Sequence, residues 1–156
     1  MPHTTIDSPI GPIVIRANDR GITSISFSDA LASDSEHSAI VDLAARQLAE
    51  YFEGTRTVFQ LPLDAGGTPF QRRVWNALLD VPFGKTASYL QIARLLGDEQ
   101  AIRAVGLANG KNPIAIVVPC HRIIGSDGSL TGYAGGLWRK EWLLRHEGVL
   151  NQTTLF

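Results

Sequence analysis

Apolar and polar positions alternate through the opening third of the chain, and the period then changes. Short β-prone runs around Thr4–Ile6, Pro12–Arg16 and Ile22–Phe27 are separated by Gly11, Asn18-Asp19 and Gly21, which predicts strands of a small antiparallel sheet. Between Ser38 and Phe52 the apolar residues Val41, Ala44, Leu48, Tyr51 and Phe52 recur every three or four positions, so an amphipathic helix, stopped by Gly54, can cover that sheet. A further run, Val58–Leu61, is expected to return to the sheet as a strand before Pro62 and Gly66-Gly67 form a linker.

Helices dominate the remainder. Thr68 is a candidate N-cap with Pro69 at the first helical position, and Phe70, Val74 and Leu78 lie four apart, predicting a helix that stops near Asp80. Ser88 caps a short helix through Leu96, Gly97 ends it, and another helix runs from about Glu99 to Asn109. Two short helices joined by a tight turn suit a helix-turn-helix, though any αα-hairpin has the same spacing. Ile114–Val118 reads as a strand. Ile123-Ile124 followed by Gly125-Ser126-Asp127-Gly128 would complete a hairpin-like wing, and Leu137–Arg145, with Trp138 and Trp142 four apart, closes the series as a helix. The expected fold is α/β (α+β): a sheet-plus-helix lobe over residues 1–67, and over 68–156 a mainly helical lobe with a winged helix-turn-helix.

Composition supports a folded chain. The 156 residues are 44% hydrophobic and 19% charged, enough to bury a core and unlike a disordered segment. No apolar run approaches the roughly 20 residues that span a bilayer, and Met1-Pro2-His3-Thr4 has no secretory character. The expectation is a soluble cytoplasmic protein, nucleoid-associated if bacterial, with no membrane partner. The net charge of -1 conceals an asymmetry: residues 1–67 carry 4 basic and 9 acidic side chains, residues 68–156 carry 10 and 6. The second lobe is therefore the candidate polyanion binder.

One cysteine, Cys120, excludes an internal disulfide, and the four histidines have no paired metal-ligand spacing, so structural zinc is not expected. Cys120 follows a β-branched run and Pro119, and precedes His121 and Arg122. A free thiol titrates near about 8.5, and adjacent cations lower that value. On a regular strand His121 would point away from Cys120, so a dyad needs a turn or a bridging water. Glu147 is a candidate to orient the imidazole.

Five ordered blocks add to this. They are Pro82-Phe83-Gly84-Lys85-Thr86-Ala87-Ser88-Tyr89, Arg103-Ala104-Val105-Gly106, Asn112 through Gly125 with Pro119-Cys120-His121-Arg122 at its centre, Gly132 through Leu137, and Lys140 through Gly148. Over residues 68–148 the chain resembles the O6-alkylguanine-DNA alkyltransferases, the methylated-DNA protein-cysteine methyltransferases; residues 1–67 match in length and layout.

The resemblance implies direct DNA repair. Cys120 would take the alkyl group from O6 of guanine, with O4 of thymine a further candidate, in one irreversible step after the base is rotated out of duplex DNA. His121 and Glu147 would form a water-bridged relay with Cys120, Asn112 would hold the turn around the cysteine, and Tyr89 would donate toward the departing guanine. Arg103 would fill the vacated stack, and Ala104, Gly106, Ala108 and Asn109 would keep its helix slim enough for the minor groove. Arg122 is a candidate for phosphate or structural contact. Backbone groups of Cys120, Ile123 and Ala134 would read the base, beside a wall formed by Tyr133. Ala115 stands where some relatives have proline and Ala134 where some have serine. The partner would be duplex DNA carrying O6-alkylguanine, bound by a monomer, with clustering on DNA an open alternative. A non-repairing sensor of alkylated guanine and a cysteine hydrolase are the rival readings; the sensors of this kind lack the reactive cysteine, and adjacent Cys and His disfavour the hydrolase.

Overall fold

A computed structural model describes residues 1–32 and 34–149. Two compact units emerge, Met1–Gly66 and the residues from Gly67 onward.

In the first unit β1 (His3–Ile6), β2 (Ile13–Ala17) and β3 (Ile22–Phe27) form an antiparallel meander in the order β1-β2-β3, with Thr4 opposite Ile15 and Ile15 opposite Ile25. Strand alternation turns Ile13, Ile15 and Ala17 inward and Arg16 outward. Helix α1 (Ala39–Glu53) buries Val41, Ala44, Leu48 and Tyr51. Ser38 accepts a hydrogen bond from the Val41 N–H at its start, and Gly54, at φ 85°, supplies the left-handed cap at its end.

Val58–Leu61 is not a strand. Past this run, Leu63 bridges to the sheet, opposite Ile22. Pro62 has no N–H to continue a ladder, and the segment before it is satisfied from another quarter. The Gln60 N–H donates to Gln47 Oε1 (2.9 Å), and Gln47 Nε2 donates back to the Gln60 carbonyl (3.1 Å). A Cβ on Gly21 would stand 2.6 Å from the Pro62 carbonyl oxygen, so glycine lets the two segments meet.

The second unit contains α2 (Pro69–Leu78), β4 (Ala87–Ser88), α3 (Tyr89–Leu95), α4 (Ile102–Gly110), β5 (Ile123–Ile124) and α5 (Leu137–His146). Capping boxes start α2 (Thr68 with Gln71) and α3 (Ser88 with Gln91). A 3-10 turn, Glu99–Ala101, precedes α4, so the second helix of the pair starts later than its sequence suggests. Val74, Trp75, Leu78, Ile92 and Val105 are buried, and Trp75 Nε1 donates to the Ala108 carbonyl (2.8 Å). Among the described residues no helix is long and apolar enough to cross a membrane.

Ile114–Val118 is also not a strand. All five residues are buried, but the backbone coils: the Val118 N–H donates to the Ile114 carbonyl (3.0 Å), and Ile116 sits at φ 72°. Burial on every side, not strand pairing, explains its unbroken apolar character. Left-handed geometry at an isoleucine costs about 1–2 kcal/mol, which the surrounding contacts must offset. Accordingly the wing is not a hairpin with this run; β5 pairs in parallel with β4, Ala87 opposite Ile123, and the following loop is closed by the Gly125 N–H donating to the Ser129 carbonyl (2.9 Å).

Candidate active site

Asn112 builds the turn that presents the cysteine. Its side-chain oxygen accepts from the Ile114 N–H (3.0 Å) and its amide donates to the Val118 carbonyl (2.8 Å), replacing the partners a neighbouring strand would have given. Beyond Pro119 the chain makes one 3-10 turn, Cys120–Arg122, rather than leaving a strand. That turn removes the alternation which would have sent Cys120 and His121 to opposite faces.

Cys120 is buried. Burial pushes its thiol up, while the Asn112 amide, the charge of Lys140, the local backbone and the Tyr133 hydroxyl act in the opposite direction. The expectation that Arg122 lowers the thiol is not met, because its guanidinium is committed to Glu147. Nε donates to Oε1 (2.7 Å), Nη2 to Oε2 (3.1 Å), and Nη1 to the Val81 carbonyl (2.7 Å).

His121 is completely buried, with Nε2 2.7 Å from Glu147 Oε2. Burial would raise the Glu147 carboxyl, but His121 and Arg122 together hold it at about 2. It is therefore a carboxylate, so His121 Nε2 carries the donated hydrogen and Nδ1 presents a lone pair when the ring is neutral. Burial favours that neutral ring, lowering the His121 pKa against the pull of Glu147. Nδ1 is itself buried and accepts no hydrogen bond from the described residues. The arrangement is a buried acceptor on the residue that follows the cysteine, with its tautomer fixed by a buried carboxylate.

The other expected positions divide. Tyr89 opens α3, and its hydroxyl shares a hydrogen bond with Thr131 Oγ1 (2.5 Å). Tyr133 is half-buried, its hydroxyl kept protonated by burial and by the neighbouring Cys120. Ala134 lies exposed in a turn closed by the Gly136 N–H donating to the Tyr133 carbonyl (2.9 Å). Ile123 is buried, and its carbonyl accepts from Lys140 Nζ (2.6 Å).

On α4, Arg103 and Ala104 are exposed and Gly106 half-exposed. Ala108 and Asn109, expected on the DNA-facing side, are buried; the Ala108 carbonyl serves Trp75 and Asn109 Nδ2 lies 3.4 Å from the Cys120 carbonyl. Arg122 is likewise an interior ion-pair partner and not a surface phosphate contact. Nor is the outer face of α4 uniformly slim, since Ile102 is 42% and Leu107 68% exposed.

Sequence reasoning passed over Lys140. It shares the inner stripe of α5 with Leu143, Leu144 and Glu147, a spacing of three and four that was legible in the chain. Trp138, which suggested the helix, is 55% exposed on another side.

Comparison with known proteins covers both units. Residues 69–149 match the family profile described as 6-O-methylguanine DNA methyltransferase, DNA binding domain, and residues 1–65 that of its ribonuclease-like domain. A methylated-DNA–protein-cysteine methyltransferase of Methanosarcina barkeri is 48% identical over 153 residues, covering 94% of this chain and 97% of that one. A protein of the same name from Mycolicibacterium paratuberculosis is 49% identical over 150 residues, covering 93% and 91%. The crystal structure of the Mycobacterium tuberculosis O6-methylguanine methyltransferase superposes with a TM-score of 0.85 at 45% identity, covering 99% and 98% of the two chains. The M. tuberculosis protein named OGT, solved in complex with DNA, gives 0.85 at 44% identity over 97% and 96%. Matched along nearly its whole length in both sequence and fold, this chain belongs to the 6-O-methylguanine DNA methyltransferase family.

Proposed function

We propose that this protein repairs duplex DNA by moving an alkyl group, methyl in the simplest case, from guanine O6 to Cys120, once per molecule. The observation that carries the reading is the buried His121–Glu147 hydrogen bond on the residue next to the buried Cys120, in a chain of this family. Cys120 Sγ forms a bond to the alkyl carbon as the carbon–O6 bond breaks. The thiol proton passes, through a water, to His121 Nδ1, and Glu147 stabilises the imidazolium that results. Tyr89, hydrogen-bonded to Thr131, donates toward the departing guanine. No step needs a metal or organic cofactor, and the thioether product ends the cycle.

A guanine stacked in a duplex is out of reach, so the base is flipped and Arg103, exposed on α4, occupies its place. Gly106 supports close approach of that helix, and Tyr133 with the backbone at Cys120, Ile123 and Ala134 forms the base pocket. The lobe from residue 68 onward carries DNA and chemistry, with residues 1–67 as its companion. The protein acts as a monomer in the compartment that holds the chromosome; sedimentation on long duplexes tests whether copies cluster. The sensor alternative is disfavoured because Cys120 is present.

Intact and peptide mass spectrometry after mixing equimolar protein with duplex DNA containing one O6-methylguanine tests the reading. One methyl on the Cys120 peptide, saturating at one per protein, is expected. An unmodified Cys120 in folded protein that still holds the lesion would establish the sensor instead.

Arg103→Ala should slow repair of duplex by about tenfold relative to reaction with a free O6-alkylguanine base, corresponding to about 1.4 kcal/mol of lost transition-state stabilisation. Single-turnover rates on both substrates check this, and an equal loss on both would remove the stack-filling role.

A further inference from the structure

Leu107 stands 68% exposed on α4, and since an isolated exposed leucine is ordinary on a protein surface, its position on this helix is what carries meaning. Arg103, Leu107 and Gly110 follow one another at intervals of four and three residues and so share one face, with Lys111 beside them at the cap of the helix. The glycines near Leu107 leave the backbone bare. Nothing lies within 4 Å of where a Cβ on Gly110 would stand, and one on Gly106 would meet the Tyr89 ring at 3.8 Å. Arg103 and Lys111 are exposed, and among the described residues neither takes part in an ion pair. Helix α4 therefore presents a slim strip with one large apolar side chain between two cations, adjoining the tyrosine that the proposed chemistry uses. Ile102 is apolar too and 42% exposed, but it immediately precedes Arg103 and so points about 100° round the helix from it.

We infer that Leu107 is a specificity-determining residue: its side chain seats on the floor of the DNA minor groove near the damaged guanine and disfavours a G·C pair at that step. This rests on the repair reading, in which Arg103 fills the stack left by the flipped base, and adds to it a preference for the flanking sequence. Cations at both ends of the strip suit the phosphates that border the groove, and the small residues between them let the backbone approach. Leu107 lies four residues beyond Arg103, about 6 Å along the helix axis, close to two base-pair steps of about 3.4 Å each. Every base pair presents acceptors to the minor groove, but G·C alone adds the guanine 2-amino group, a donor. An isobutyl side chain laid over that amine excludes water and offers no acceptor, so a hydrogen-bond donor is left unpaired. A·T pairs have no such group. Nor do inosine·C pairs, which differ from G·C by that amine alone.

The test measures second-order rates of methyl transfer to Cys120 on duplexes bearing one O6-methylguanine, flanked by three G·C pairs on either side, with inosine·C replacing each of those pairs in turn. Wild-type protein is expected to react about tenfold faster when the amine is removed at one position, near the second step from the lesion, as the loss of one unpaired donor requires. In Leu107→Ala the gain at that position should fall to about that seen at the others. In Leu107→Gln, whose amide oxygen can accept from the amine, it should vanish or reverse. Both variants change an exposed helical position to a good helix former, so the fold is retained. Inosine also weakens the duplex, so a gain that persists in Leu107→Ala overturns the inference. Reaction with a free O6-alkylguanine base should be the same in all three proteins, and a slower reaction in Leu107→Ala would overturn the assignment to the groove. Equal wild-type rates on every duplex would remove this inference and keep the repair reading, whereas Cys120 left unmethylated by every duplex would remove the repair reading itself.

Discussion

Cys120→Ser is expected to abolish methyl transfer to the protein while leaving binding to duplex DNA within about twofold of the wild type. The loss is total because the nucleophile is unique: the chain has one cysteine, and a serine hydroxyl in the same buried turn is far harder to ionise than a thiol. Binding survives because Cys120 lies inside the unit, whereas Arg103 and the outer face of α4 are exposed. Mass spectrometry for the methyl and fluorescence anisotropy for the duplex provide the two readouts. Residual stoichiometric methylation of the variant would move the acceptor elsewhere, and a collapse of binding would show that the substitution disturbs the lobe as a whole.

Glu147→Gln is the second large effect, and it appears in stability as well as rate. The carboxylate is buried and receives His121 on one oxygen and Arg122 on both, so its loss leaves the Arg122 guanidinium inside the protein without a countercharge. Breaking a buried pair in this way costs about 3–5 kcal/mol, measurable by urea unfolding at neutral pH.

The same group sets an acid limit. Its folded pKa, about 2, lies below the ordinary value of 4.5, so the unfolded chain binds the proton more readily. The stabilisation is complete above about pH 4.5 and is lost as pH falls toward 2, a span of about 3 kcal/mol. His121, also depressed, works in the same sense from its ordinary value of 6.5 downward. In Glu147→Gln the carboxylate's own contribution between pH 4.5 and 2 should vanish, while that of His121 begins where it did and, without the pull of Glu147, extends further down. An unfolding free energy unchanged within about 1 kcal/mol would mean that the triad of side chains carries little structural weight. Transfer should slow as well, since Nε2 of His121 would lose the carboxylate that fixes the ring's tautomer and favours imidazolium.

Local chemistry made much of the scaffold legible. Alternation gave β1 to β3, and the caps Thr68 and Ser88 marked two helix starts, because each of these signals acts between residues a few positions apart. Both failures were apolar runs beside a proline. Val58–Leu61 and Ile114–Val118 are rich in strand-forming residues, yet a side-chain amide, Gln47 in one case and Asn112 in the other, meets their backbone groups. Periodicity cannot register a partner of that kind.

In the site, Cys120, His121 and Glu147 could be named from the chain, but the destinations of Arg122, Ala108 and Asn109 could not. A surface arginine and a buried one look alike until the distant carboxylate is placed. Lys140 escaped for a different reason: attention to the spacing of Trp138 and Trp142 selected the wrong side of α5. A charged residue on the Leu143–Leu144 stripe was the signal available.

His121 and the Glu147 carboxylate are 26 residues apart, bridged only when α5 has folded back on the turn that holds Cys120. During translation, therefore, Cys120 is joined to the chain before the carboxylate that orients His121. A chain halted anywhere short of residue 147 would carry the cysteine without the carboxylate partner of its neighbour, so the proposed relay could assemble only once Glu147 is in place.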